Sequence, residues 1–302
     1  MNLNDLLNSK KIDPAKVLVL RHKPREPELA KNLAGVILKR PDLFNAYQQT
    51  QSKVLEKVME KMIGSGYVAS FVGHKDKVGK AHKVGKALFI GLYSIDGAER
   101  LTRGQYLKTK EYAELKSFGL GDFADENRDS ILRFDLSLVN DFYESWKGKL
   151  IVEWPGLERS WWRHADRNEI PVCSILEDSA LNPKISDWKD IILTWNELQI
   201  LPSNLEYALE QWRGIYYIFD ISAGKGYVGS ASGKMNILDR WKDYAARGHG
   251  GNELLKMRDQ NNFRFSILQR VSPDMIQEEI SKIETTWKKR LHTRAPHGLN
   301  DN

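Results

Sequence analysis

The sequence predicts an α+β protein of two domains: a helical, then β-rich N-terminal domain over residues 1–203, and a small α/β domain over residues 204–302. Three observations predict it. Apolar residues recur at three- and four-residue steps up to about residue 63. Short β-rich runs separated by turn residues fill the stretch from Gly66 to about Leu176. Beyond Leu201-Pro202-Ser203-Asn204, which reads as a boundary, strand and helix patterns alternate.

A chain of 302 residues is long enough for two domains. Its composition is 41% hydrophobic, 28% charged and 10% aromatic, which fits a globular chain and excludes a disordered one. The net charge of +6 and a pI near 9.1 are compatible with a nucleic-acid partner. The excess is spread: 15 Lys and Arg against 12 Asp and Glu from Leu205 onward leave +3 there and +3 in the rest. Cys173 is the only cysteine, so neither an internal disulfide nor a zinc cluster is expected. The polar start and the lack of an apolar run near ~18 residues point away from a membrane and toward a cytoplasmic protein.

In the N-terminal domain, Leu43, Phe44, Tyr47, Val54, Leu55, Val58, Met59 and Met62 mark one amphipathic helix, started by Pro41 and Asp42 and ended by Gly64-Ser65-Gly66. The β-rich runs are 67–72, 87–93, 131–134, 150–152 and 171–175, and they suggest a small barrel or a strongly bent sheet. Two clusters are candidates for DNA contact. The run from Gly73 to Lys86 carries Lys75, Lys77, Lys80, Lys83 and Lys86, a basic loop able to grip phosphates or a plain solvated hairpin. Trp161, Trp162 and Arg163 hold two adjacent tryptophans, one for packing and one able to stack on a base. Arg21-His22-Lys23-Pro24-Arg25 reads as exposed charge.

The C-terminal domain opens with Gly214-Ile215-Tyr216 and continues, past a Gly-containing loop, to Tyr227-Val228-Gly229. This is a hairpin pattern. A four-residue loop, 222–225, would pair Ile221 with Gly226 and put Tyr216 and Tyr227 on one face. Asn236 caps the next helix and Gly248 ends it, with Ile237, Leu238, Trp241 and Ala245 as its buried stripe. Arg240 and Tyr244 are four apart and share a face, and His249 follows in the turn. After the strand 263–269, Ser272-Pro273-Asp274 opens a long helix with a stripe of Ile276, Ile280, Ile283, Trp287 and Leu291. Glu284 borders that stripe, where an unpaired carboxylate is costly and a cation relieves the cost.

This order of elements resembles the GIY-YIG nuclease family over roughly the last 90 residues, from about Arg213. Gly214-Ile215-Tyr216 and Tyr227-Val228-Gly229 match the two words of its name, with Val in place of Ile. Arg240 matches the family's helix arginine, Glu284 its helical glutamate and Asn300 its terminal asparagine. The resemblance implies a central antiparallel three-stranded sheet flanked by helices. It also implies DNA phosphodiester hydrolysis with a single Mg²⁺ or Mn²⁺ on Glu284. Tyr216 would serve the nucleophilic water as base, its pKa lowered by Arg240 and the ion. Arg240 would hold the phosphate, Tyr227, Tyr244 and His249 would orient the reacting groups, and Asn300 would fix the chain end. No nucleotide cofactor is implied.

The expected partner is double-stranded DNA, with the large N-terminal domain choosing the target as in a restriction or anti-phage enzyme. One active site cuts one strand, so duplex cleavage implies a homodimer or sequential nicks. Two other readings stay open: a structure-specific repair nuclease, and a non-catalytic DNA-binding protein on a nuclease fold. PUA-like barrels offer an architectural analogy for the β-rich segment.

Overall fold

A computed structural model describes residues 1–74, 85–121, 128–155, 160–182, 185, 187–232, 236–247 and 252–301, the side chains of 245–247 excepted. The chain divides into two compact units, Met1–Asn182 and Pro183–Asn302. The division therefore falls about twenty residues before Leu201–Asn204. Within the first unit the order is α1 (Leu3–Ser9), β1 (Val17–His22), α2 (Pro27–Lys39), α3 (Pro41–Gln49), α4 (Lys53–Glu60), β2 (Tyr67–His74) and β3 (Gly85–Thr102). Then follow α5 (Arg103–Leu107), α6 (Lys110–Ser117), β4 (Ser130–Leu138), β5 (Leu150–Trp154), β6 (Trp162–His164) and β7 (Val172–Ile175).

These strands form one mixed seven-stranded sheet in the order β6-β1-β2-β3-β5-β7, with β4 on the distal half of the long, bulged β3. The ladder ends on β6 and β7, with no pairing between them among the described residues. The first 63 residues are mainly helical, as expected, with one strand among them: β1 pairs in parallel with β2 and is buried at every position. The single amphipathic helix from Pro41 is two helices, broken at Thr50–Ser52, where the Ser52 hydroxyl accepts the Leu55 N–H and caps α4. Leu3, Leu7, Val17, Val19, Phe71, Phe89, Val152 and Trp154 form the core behind the sheet.

Arg21 and His22, read as exposed charge, are 3% and 6% exposed at the end of β1. Burial pushes the His22 imidazole down to about 4, against the opposing pull of its hydrogen bond with Gln48. The folded pKa thus lies below the unfolded value of ~6.5. His22 contributes stability that is fully present above pH ~6.5 and is lost as pH falls through that window toward 4. The wild-type advantage over His22→Asn in unfolding free energy is expected to shrink by about 3 kcal/mol between pH 7 and pH 4. Denaturant titrations at the two pH values check this, and an unchanged gap would mean that His22 is solvated.

The second unit contains β8 (Ile192–Thr194), α7 (Trp195–Gln199), α8 (Ser203–Gln211), β9 (Arg213–Asp220), β10 (Lys225–Ala231), α9 (Ile237–Arg247), α10 (Glu253–Lys256), β11 (Phe263–Val271) and α11 (Gln277–Arg290). Its sheet is antiparallel and four-stranded, β10-β9-β11-β8, where three strands were expected. The additional strand comes from residues assigned by sequence to the N-terminal domain: Leu193 pairs with Phe265. Strand alternation sorts the two faces. Tyr216 and Ile218 pack with Leu238, Trp241 and Tyr244 of α9. Ile215 and Val228 pack with Ile280 of α11 on the other face. The helix expected from Pro273 begins only at Gln277, so Ile276, meant for the stripe, is exposed and Ile280 is the position that is buried. Among the described residues no helix is long and apolar enough to cross a membrane.

Candidate active site of the C-terminal unit

The β9–β10 hairpin positions the first two tyrosines. Its turn covers 221–224, one residue earlier than expected, and Asp220 pairs with Lys225. The buried Asp220 carboxylate accepts the backbone N–H of Ser222 (2.9 Å) and the Ser222 hydroxyl (2.6 Å), which holds the turn. The connection keeps four residues, so the parity argument survives the shift. Tyr216 lies opposite Gly229 and Tyr227 opposite Ile218, both tyrosines on the α9 face.

The two glycines of the motif have physical causes. Gly214 has φ +154°, and a Cβ there would run into the Gln269 carbonyl of β11. A Cβ on Gly229 would stand 2.5 Å from the Tyr216 hydroxyl, so the Tyr216 ring lies across the bare backbone of its cross-strand partner.

Helix α9 begins where the Asn236 side chain accepts the Asp239 N–H (2.7 Å), as its capping role predicts. It delivers Tyr244, 2% exposed, whose hydroxyl meets that of Tyr216 at 3.1 Å and is also hydrogen-bonded with Tyr227. The rings of Tyr216 and Tyr227 stand edge-on to Tyr244 at 6.0 and 5.9 Å. Burial pushes all three phenols far above the usual tyrosine range, and their mutual proximity adds to it. Arg240, one turn before Tyr244, opposes the rise in each case, without overcoming it. Arg240 by itself therefore does not bring Tyr216 below its ordinary pKa: the protein alone holds the three hydroxyls protonated at neutral pH. Arg240 is half-buried, and its Nε is a buried donor with no partner among the described residues.

Glu284 reaches the same region from the opposite face of the sheet, close enough to act electrostatically on Tyr216 and Tyr227. It is 19% exposed, accepts a hydrogen bond from Ser230 of β10, and pairs with the Lys288 ammonium at 2.9 Å. Ser230 and Lys288 were not singled out from sequence. The signal for Lys288 was present as the Glu284–Lys288 four-residue spacing on one helix. Ser230 follows the second motif word on the face that Val228 shares.

Asn300 clamps the edge of the sheet. Its side chain accepts the Val228 N–H (3.0 Å) and donates to the Val228 carbonyl (2.8 Å), while Leu299 N–H bonds to the Gly226 carbonyl (2.9 Å). The chain end thus completes the hydrogen bonds of β10 beside the tyrosines, and Asn300 itself is 1% exposed. Its place is that of a positioning residue.

Among the described residues no cluster of three or more His, Cys, Asp or Glu exists. A hydrated Mg²⁺ needs only one or two carboxylates. Glu284 has about four lone-pair sites, of which Ser230 and Lys288 engage two. The donor set fits one hydrated divalent ion on Glu284, with Lys288 as the cation already beside it.

His249, Lys75, Lys77, Lys80 and Lys83 lie outside the described residues. Lys86 is in β3, paired with His74 and with Glu153 of β5. Arg163 donates to the carbonyls of Trp162 (3.2 Å) and Pro155 (3.1 Å). Trp162 starts β6 and stands 5.6 Å edge-on to His164.

Among solved structures, a mutant catalytic domain of intron endonuclease I-TevI is 27% identical over 30% of this chain and 95% of that one, at a TM-score of 0.26. The catalytic domain of homing endonuclease I-TevI is 28% identical over 30% of this chain and 98% of that one, at a TM-score of 0.24. No protein-family model matches the chain. No curated protein matches it either.

Proposed function

We propose that the protein is a GIY-YIG-type endonuclease that hydrolyses DNA phosphodiester bonds at the tyrosine cluster of its C-terminal unit, with one divalent ion on Glu284. The observation that carries this reading is Arg240. Its Nε is a buried donor with no acceptor among the described residues, set one turn from Tyr244 and acting electrostatically on all three neutral phenols. A structural arginine would have its donors satisfied. An anionic phosphate oxygen is the acceptor this guanidinium is shaped to take.

In this reading Arg240 binds the scissile phosphate and neutralises charge that develops on its oxygens. The phenols of Tyr216, Tyr227 and Tyr244 orient water by donating and accepting hydrogen bonds. A bound Mg²⁺ or Mn²⁺ would supply positive charge and lower the pKa of bound water. The water oxygen forms the new bond to phosphorus, the phosphorus–oxygen ester bond breaks with its electron pair going to the departing sugar oxygen, which takes a proton from solvent, and the water proton leaves through the hydroxyl cluster to solvent. The N-terminal unit chooses the target, a restriction or defence role follows from that division of labour, and a homodimer would cut both strands.

The test incubates the purified protein with plasmid and phage DNA, modified and unmodified, in Mg²⁺ or in EDTA. Cleavage in Mg²⁺ alone, with mapped ends, is expected. Cleavage that persists in EDTA would remove the metal from the proposal, and no cleavage of any substrate would remove the nuclease.

A further inference from the structure

The N-terminal unit carries a cavity of about 610 Å³ that the active site does not use. Its size falls within the ~300–1,000 Å³ of small-ligand pockets. It forms where β1 ends, beside the break between α3 and α4 and the residue preceding β6. Arg21, His22, Tyr47 and Trp161 are among its lining residues, with Lys23 and Lys53. No carboxylate lines it among the described residues.

His22 points to a ligand. It is 6% exposed, packs edge-on to Phe44 at 5.4 Å and tilted to Tyr47 at 5.4 Å, and lines the cavity. The ring interacts with the Gln48 side chain, and Nε2 is buried with no hydrogen-bond partner among the described residues. A buried, unpaired polar atom destabilises the free protein and is recovered when a ligand supplies the missing hydrogen bond. The imidazole stays neutral at physiological pH, so it meets a polar ring edge and not a carboxylate. Tyr47 and Trp161 are both ring surfaces on which a flat ligand can stack. Basic residues on the lining, without acidic ones, suit a ligand attached to phosphates.

We propose that this cavity takes an extrahelical nucleobase, stacked on Trp161 and Tyr47 and hydrogen-bonded by its edge to Nε2 of His22, with the adjoining backbone phosphates toward Lys23 and Lys53. The inference rests on DNA as the substrate, and it makes the cavity the place where the N-terminal unit reads its target. A base must leave the stack to enter, so an already unpaired base binds more tightly than a paired one.

The experiment measures equilibrium binding of the full chain in EDTA by fluorescence anisotropy. The probes are a fully paired duplex, matched duplexes carrying one unpaired base of each kind, and free deoxynucleoside monophosphates. Wild type is expected to prefer at least one unpaired-base duplex by about tenfold over the paired one, the scale of one stacked base. Trp161→Ala, a change at a half-exposed position, and His22→Asn should each remove that preference and leave paired-duplex binding within about twofold. Equal binding of all duplexes by wild type would overturn the proposal, as would a preference that survives in both variants. Free monophosphates that bind as tightly as the duplexes would make this a small-molecule site and overturn the DNA assignment. The nuclease reading is scored separately by cleavage in Mg²⁺. A protein that cuts without preference loses only the pocket; one that discriminates without cutting loses only the nuclease.

Discussion

Replacing Glu284 by alanine is expected to reduce DNA cleavage by at least about 10²–10³-fold, the scale of losing one group that stabilises the transition state. It should destabilise the C-terminal unit at the same time. Lys288 has a side chain 8% exposed, and Glu284 is its ion-pair partner at 2.9 Å. Truncating one partner of a buried pair weakens the compensation of the other charge, at up to about 3–5 kcal/mol. Glu284 keeps 19% exposure, so water can reach the Lys288 ammonium and the lower end of that range, at most about 3 kcal/mol, is the expectation. The two effects separate in a double variant. Glu284→Ala with Lys288→Met removes both charges and keeps the volume of the lysine stem. It should recover most of the stability and none of the cleavage. Denaturant unfolding and plasmid cleavage, run on the same three proteins, decide the matter. A stable double variant that cuts normally would mean that Glu284 serves only to hold α11.

Lys288 also bears on how the carboxylate meets an ion. The ammonium and a divalent ion would compete for the same negative charge, so under the proposed function Lys288→Met alone should leave Glu284 a better ligand. Sequence reading reached Glu284 by asking what relieves a carboxylate beside an apolar stripe. It placed a metal there, although a lysine four residues on already relieves part of the cost. The lesson is local: a half-buried acid on a helix is to be tested first against its i+4 neighbour.

What was legible in the sequence was the periodic part. The hairpin parity put Tyr216 and Tyr227 on one face, and it held when the turn moved by one residue, because only the parity of the loop length matters. The four-residue spacing of Arg240 and Tyr244 brought one helix face to the hydroxyl cluster. The illegible parts lacked a period. Strand β1 is buried at all six positions, so it shows no alternation, and a short apolar run of this kind reads equally as helix. The apolar stripe of α3 continues into α4 across Thr50–Ser52, so the break is visible only as a capping serine. The turn signal Leu201–Asn204 is real, yet it separates α7 from α8 inside one unit. Residues 192–194 return to the sheet through pairing with β11 some seventy positions away, a contact that no local pattern announces. His22 was hidden in a basic cluster whose composition suggested solvent, while β1 carried it into the interior.

Arg240→Ala should lower turnover by roughly 10²–10³-fold while changing DNA affinity by less than about tenfold. Nε of Arg240 is a buried donor with no partner among the described residues; such a guanidinium gains most when an acceptor of full negative charge arrives, and phosphate charge is greatest as the ester bond breaks. Most binding energy on DNA is spread over many backbone contacts, so one buried arginine contributes little to it. A second effect acts in the same direction. Arg240 is the cation that restrains the upward shift of Tyr216, Tyr227 and Tyr244, and its removal makes those hydroxyls still harder to deprotonate. Activity lost in Arg240→Ala should therefore not return in alkaline buffer up to pH ~10, the ordinary tyrosine range. Arg240→Lys keeps the charge and loses the planar fork, so it should restore only part of the turnover. Single-turnover rates in Mg²⁺, read beside anisotropy in EDTA, distinguish the two quantities. A parallel loss of rate and affinity in Arg240→Ala, fully restored by lysine, would make Arg240 a simple phosphate-binding charge and return the catalytic role to the tyrosines and Glu284 alone.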